Sequence, residues 1–334
     1  MEGQRPPRPA PPLPGPASSE PAAEGEAKLL RVAVAGAPCS FGAFEVTVGI
    51  DPNVPEAATV MDAVRQAGYA GIDLGPAGYL GPASEIGERL SSHGLTLSGG
   101  WIALPFAEPE RLPEAIAGLQ GVLDLFDAAS ANGAVPHPPR PTLADTGSEA
   151  RRAAPGQAQH EARLGLPRER WAAFAEAVCE VAEVCRRRGY EPTFHHHAAT
   201  YVEAPWEIER LLDKTDVGLC LDTGHLLLGG GDPVQAVRDW GGRINHVHLK
   251  DVTMDTIEAL LEERAPMYEV WRRRAFCPLG DGDLDVDGVL DALTVAGYRG
   301  WLVVEQDTLP APGTPDQAAL DQRRNREYLR IRGL

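Results

Sequence analysis

Two rhythms alternate along this chain. Short runs of four or five apolar residues are separated by longer stretches in which apolar residues recur every three or four positions. The first rhythm predicts buried strands and the second amphipathic helices. The predicted strands are LLRVAVAGAP, YAGIDLGP, LTLSGGWIALPF, TLADTGS, PTFHHH, VGLCLD, INHVHLKD and WLVVEQD. Helices are predicted between them, among them PEAATVMDAVRQAG, RERWAAFAEAVCEVAEVCRRRG and DPVQAVRDWGG, with ALDQRRNREYLRIRGL closing the chain. Glycines follow several of these helices, as a helix stop requires. Residues 147–167, polar and Arg-rich, read as a loop over one end of the sheet, and 253–276 as an inserted helix after the seventh strand.

Strand and helix alternate eight times. That repetition requires a parallel sheet, and eight units predict an α/β fold closed as a (β/α)8 TIM barrel in a single domain rather than an open doubly wound sheet. Residues 1–28 are almost entirely Pro, Ala, Gly, Glu and Ser. They cannot bury enough apolar surface to offset their ordering entropy, so they are expected to form a disordered tail, with 29–334 as the catalytic domain.

Charge and cysteine content narrow the function. Lys and Arg number 31 against 48 Asp and Glu, a net charge of −17, which argues against a nucleic-acid partner because such proteins carry a basic face. Five cysteines without C-x-x-C spacing point to a reducing compartment. No run approaches the length of a membrane span, and the N-terminus lacks the apolar core of a secretory signal, so a cytoplasmic location with no membrane partner is expected. LDTGHLLLGGGDP lacks the spacing of either glycine-rich nucleotide loop.

The strand ends carry the chemistry. Six of nine histidines fall between positions 195 and 248. The last four predicted strands end in His195, His196 and His197, in Asp222, in His246 and His248, and in Glu305 and Asp307. Carboxylate and imidazole ligands converging from separate rigid elements are what a divalent ion needs, and the mouth of a barrel can supply one per strand. The candidate ligands are His195 (or His197), Asp222, His248 and Glu305. Mixed nitrogen and oxygen donors suit Mn²⁺ or Co²⁺, with Zn²⁺, Fe²⁺ and Mg²⁺ as further candidates. Glu305, His197 and Lys250 are candidate acid/base groups, and His225, Trp101 and Asp145 candidate substrate-binding groups. Asp73 is a mouth residue by position.

FHHHAATYVE, LCLDTGHLLLGGGDP, HVHLKDV, CPLGDGDLD, VVEQD and PTLADTGS resemble the xylose-isomerase-like TIM-barrel superfamily of sugar isomerases and epimerases, and within it the inosose (2-keto-myo-inositol) dehydratases. The resemblance spans roughly residues 30 to 330. It implies a metal held by Glu, Asp, His and Glu from strands five to eight, of which the last three carry over to Asp222, His248 and Glu305. His195 stands where the first Glu is expected, so the site is one charge less negative. The resemblance implies a metal-dependent lyase that dehydrates a keto-cyclitol or keto-sugar through an enediolate. The alternative is a ketose epimerase or aldose–ketose isomerase on the same scaffold. A small sugar or cyclitol is the expected partner, with self-association into a homo-oligomer as in many look-alikes.

Overall fold

A computed structural model describes residues 30–131 and 136–334. The predicted tail, residues 1–28, lies outside the described residues. The barrel strands are β1 (Arg31–Gly36), β2 (Gly71–Ile72), β3 (Thr96–Leu97), β4 (Gly99–Leu104), β5 (Arg140–Asp145), β6 (Thr193–His195), β7 (Gly218–Asp222) and β8 (Ile244–Leu249). A short pair follows, β9 (Asp251–Val252) and β10 (Phe276–Cys277), and then β11 (Arg299–Val304). The main sheet runs β3-β2-β1-β11-β8-β7-β6-β5-β4, with every pairing parallel.

That order is a ring. Segments β3 and β4 are one predicted strand interrupted at Ser98, which donates its N–H to Ile72 O at 3.0 Å and accepts from Arg140 N at 3.1 Å. Eight strands therefore close a TIM barrel, as the alternation predicts.

Side-chain parity along each strand decides what faces the barrel axis. Ala33, Ala35, Trp301 and Val303 form a cluster of their own with Ala37, while Val34, Leu302 and Val304 belong to the shell covered by helices. The same parity puts Phe194, Leu219, Leu221, Val247 and Leu249 in the outer shell. Their neighbours Thr193, His195, Cys220, Asp222, His246 and His248 therefore point inward. Leu219 pairs with Ile244 but Cys220 with His246, so Asn245 is the extra residue of a bulge. That bulge lets Ile244 pack outward while His246 faces in.

Two segments differ from expectation. The insertion after the seventh strand holds two helices, Met254–Glu263 and Met267–Arg272, broken at Ala265 and Pro266. It closes on the antiparallel β9–β10 pair and carries a small core of its own that includes Ile257, Leu260, Val270 and Phe276. Residues 147–167 form a short helix, Glu149–Arg152, and 3₁₀ turns. None of them lines the mouth cavity described below. Their Arg151, read only as part of a polar loop, is buried in an ion-pair network.

Candidate metal centre and active site

Strand ends and one helix cap bring the ligand candidates together. Asp222 ends β7 and is the N-cap of helix Thr223–Leu228, where its Oδ1 accepts the His225 N–H at 2.8 Å. One carboxylate oxygen is thereby fixed, and Oδ2 is left facing the barrel mouth. His195 Nε2 stands 3.5 Å and His248 Nδ1 3.7 Å from that oxygen. His248 Nδ1 is 3.1 Å from His195 Nε2 and 3.2 Å from Glu305 Oε2. All four residues are buried.

Lys250 completes the cluster. Its Nζ lies 3.2 Å from Asp222 Oδ2, 3.1 Å from Glu305 Oε2, 3.0 Å from Asp307 Oδ1 and 3.2 Å from His225 Nε2. Thr223 clamps the lysine backbone, accepting Lys250 N–H and donating to Lys250 O, both at 2.8 Å. Gly224 makes room for it: a Cβ there would meet Lys250 Cγ at 2.9 Å.

These donors fit a divalent cation on three counts. Ligands about 2.1 Å from a tetrahedral ion stand about 3.4 Å from one another, and four of the six separations among these residues run from 3.1 to 3.7 Å. Asp222 Oδ2 is buried and forms no hydrogen bond, with Lys250 Nζ at 3.2 Å as an ion-pair partner only, so it keeps lone-pair capacity for a further cation. Charge gives the third count. Three carboxylates (Asp222, Glu305, Asp307) face one lysine and the His248 imidazole, which Cys220 and Glu305 hold well above its ordinary value against burial, and a divalent ion would take the place of that imidazole's proton.

Ionisation follows the same layout. Burial pushes the Asp222 carboxyl up, but Lys250 and His225 outweigh it and hold the group well below the ordinary carboxylate range. Glu305 is likewise driven down against burial by His248 and Lys250. Lys250 is held well above its ordinary value: burial lowers it, and Asp222, Asp307 and Glu305 more than reverse that. His197 is pushed down to about 3 by burial and then by His195, so its imidazole is neutral.

A cavity of about 210 Å³ opens over this cluster. Trp101 stands edge-on to His195 and His197, with ring centroids 5.2 and 4.9 Å apart. His197 packs on His225 at 3.7 Å and donates its Nδ1–H to Ala198 O at 2.6 Å, which leaves Nε2 without a proton. His196 points the other way, as parity predicts, and its Nε2 accepts the Asp222 N–H at 3.2 Å. Phe44 and Trp271 stack at 5.3 Å as a roof.

The structure thus brings together His195, His197, Asp222, His225, His248, Lys250 and Glu305, with Trp101 as a wall. Asp145 is not brought in. It shares the outward parity of Leu143, and its Oδ2 accepts the N–H groups of Gly147 at 2.7 Å and Tyr201 at 3.4 Å.

Sequence reasoning marked Asp307 as a strand-end residue without giving it a role and passed over Cys39, Phe44 and Trp271; all four line the cavity. Parity offered a signal for Asp307, two residues beyond Glu305. Behind the His197 turn, Arg151 pairs with Glu207 through contacts of 3.2 and 2.8 Å and with Glu203 at 3.3 Å. Glu203 in turn accepts the Ala199 N–H at 2.7 Å and so braces that turn at a residue whose φ is 70°.

A family model described as a xylose isomerase-like TIM barrel matches residues 61–330. Among curated relatives, an inosose dehydratase 2 of Bacillus cereus is 35% identical over 159 residues, which is 47% of this chain and 53% of that protein. The chain therefore spans about half the length of such dehydratases. The rhizopine catabolism protein MocC of Rhizobium meliloti is 31% identical over 301 residues, covering 87% of this chain and 86% of its own. Among solved structures, an IOLI protein with a bound zinc atom superposes with a TM-score of 0.62 at 13% identity, covering 90% of this chain and 97% of that one. The 3-keto-D-glucoside 4-epimerase YcjR from E. coli gives 0.55 at 15% identity, covering 87% and 99%. At these identities the structural likeness speaks for the fold alone.

Proposed function

The chain belongs to the xylose isomerase-like TIM barrel family, and on that premise we propose that it is a metal-dependent lyase removing water from a keto-cyclitol or keto-sugar. The convergence of His195, Asp222, His248 and Glu305 beside Lys250 carries the reading. These four would hold the ion, Mn²⁺ or Co²⁺ by donor type. When bound, it supplies Lewis acidity toward the substrate ketone and an adjacent hydroxyl.

The protein's own groups divide the proton work. Of the three candidate bases, Lys250 is held charged by its carboxylates, and Glu305 is engaged by His248 and Lys250. His197 remains, with an unprotonated Nε2 at the cavity placed to take the proton next to the ketone; burial, then His195, keeps it a weak base of about 3, so the bound ion would have to acidify that proton. Lys250 donates to a substrate oxygen as negative charge grows there. Asp73 delivers a proton to the departing β-hydroxyl. It lines the cavity with one oxygen unpartnered, and burial, then Glu305, pushes its carboxyl up to about 6.

Inosose dehydratase names among the relatives support the substrate class. The second reading, a ketose epimerase or aldose–ketose isomerase, uses the same proton abstraction with no leaving group. Incubation with keto-inositols and ketohexoses in D₂O separates them. The lyase reading predicts exchange of the proton next to the ketone together with enone absorbance as water is lost. Exchange with an epimerised product and no enone would favour the second reading, and no exchange with any of them would contradict both.

A further inference from the structure

One peptide group in the turn after β6 is gripped at both ends. Its carbonyl, that of Ala198, accepts the His197 Nδ1–H at 2.6 Å. Its N–H, that of Ala199, donates to Glu203 Oε1 at 2.7 Å. A trans peptide points these two bonds in opposite directions, so carboxylate, peptide and imidazole form one continuous chain of hydrogen bonds. The turn is wound to present that peptide. Ala199 has a φ of 70°, rare for a residue that carries a Cβ and kept where surrounding contacts impose it. His197 N–H donates to Val202 O at 3.0 Å and Thr200 Oγ1 to His197 O at 2.8 Å, which fixes the backbone on either side of the ring.

Glu203 carries more charge than a brace needs. Arg151, Glu203 and Glu207 are all buried, and among the described residues Arg151 is the one cation within ion-pair distance of either carboxylate. Two carboxylates against one guanidinium leave a buried negative charge, which is costly. A neutral amide would accept the same N–H groups. The surplus falls on Glu203. Glu207 meets Arg151 with both oxygens, at 3.2 and 2.8 Å, whereas Glu203 Oε1 is spent on the N–H groups of Ala199 and, at 2.9 Å, of Gly156. Burial pushes the Glu203 carboxyl up, opposed first by Arg151 and then by these two N–H groups. All three neighbours are donors, the surroundings an ionised carboxylate takes.

An N–H bonded to a carboxylate polarises its peptide and makes the carbonyl at the other end a stronger acceptor. The acceptor at one ring nitrogen decides which nitrogen of a neutral imidazole carries the proton. We infer that Glu203 is a positioning residue for His197: through the Ala198–Ala199 peptide its charge holds the ring in the Nδ1–H form, keeps Nε2 bare at the cavity and favours the imidazolium once Nε2 has taken a proton. The catalytic consequence rests on the proposed role of His197 as base; the hold on the ring does not.

Nitrogen NMR of zinc-loaded protein labelled with ¹⁵N-histidine tests the hold, with His197→Gln to assign the resonances. Wild type should show His197 as the Nδ1–H form at neutral pH. Glu203→Gln keeps an acceptor for the Ala199 N–H but loses its charge. The ring shifts should then move toward the Nε2–H form, and the Nδ1–H proton should exchange with solvent about fivefold faster. Exchange of the substrate proton next to the ketone should fall about fivefold or more in kcat with KM unchanged. Glu207→Gln removes the same buried charge from the same guanidinium and should leave the His197 ring shifts as they are. Circular dichroism and metal content check every variant. Glu203→Asp, one methylene short of the Ala199 N–H, serves if Glu203→Gln does not fold and should release the ring in the same way. An Nε2–H wild type, ring shifts unmoved in the Glu203 variant, or an equal shift in Glu207→Gln would overturn the inference. The predicted shifts with no keto ring exchanged would leave the hold standing and sink the role of His197 as base.

Discussion

The two halves of the barrel mouth handle buried carboxylates in opposite ways. Around β6, β7, β8 and β11, Asp222 and Glu305 share Lys250 and two imidazoles and are driven below their ordinary range. Across the mouth, Asp73 and Asp145 have no such partner. Each accepts the N–H of a glycine two residues on, Gly75 and Gly147, and burial pushes each carboxyl up to about 6. The two aspartates share one local motif, yet Asp73 faces the cavity and Asp145 does not. Parity relative to Ile72 and Leu143, both outer-shell residues, makes that difference. The residue type at a strand end does not place it in a site; its phase does.

The contrast can be pressed from its strongest point downward. Arg151 neutralises the buried Glu203 and Glu207 that brace the ligand half. Arg151→Met leaves them uncompensated and should cost about 3–5 kcal/mol in denaturant unfolding. Lys250→Met should lower kcat about 10²–10³-fold with bound metal retained; an unchanged kcat would remove the lysine from the proton work.

Asp145 tests the other half through pH. Its folded carboxyl titrates at about 6, against about 3.9 unfolded, so the folded chain holds more proton between those values. Stability is therefore lost as pH rises from about 4 to 6, by about 2–3 kcal/mol. Asp145→Asn lacks this loss, so its stability deficit against wild type should shrink by that amount between about pH 4 and pH 7. A deficit that stays constant would mean the group titrates normally. Trp101→Phe is the mildest case: it keeps a ring against His195 and His197, and a few-fold rise in KM with metal content unchanged is expected.

Much of this was legible in the chain. Strand–helix alternation gives the eight-stranded barrel, and polar residues ending four consecutive apolar runs give the candidates His195 (or His197), Asp222, His248 and Glu305. Alternation within HHH separates His196 from its neighbours, as the structure bears out. What escaped depends on contacts distant in sequence. Arg151 reads only as one arginine of a polar loop because its partners lie more than fifty positions away. Trp271 reads as part of a helix until the insertion folds over the mouth onto Phe44. Nothing in the sequence singles out Gly147, yet its positive φ of 66° and the close approach of Ala199 O require a glycine there.

The account stands most directly on one measurement, elemental metal analysis of the purified wild type and of Glu305→Gln after equilibration with Mn²⁺ or Co²⁺. It predicts about one ion per folded wild-type chain and a large loss in the variant at unchanged circular dichroism, as expected when one of four ligands goes. Equal metal in both proteins, or none in either, would contradict it.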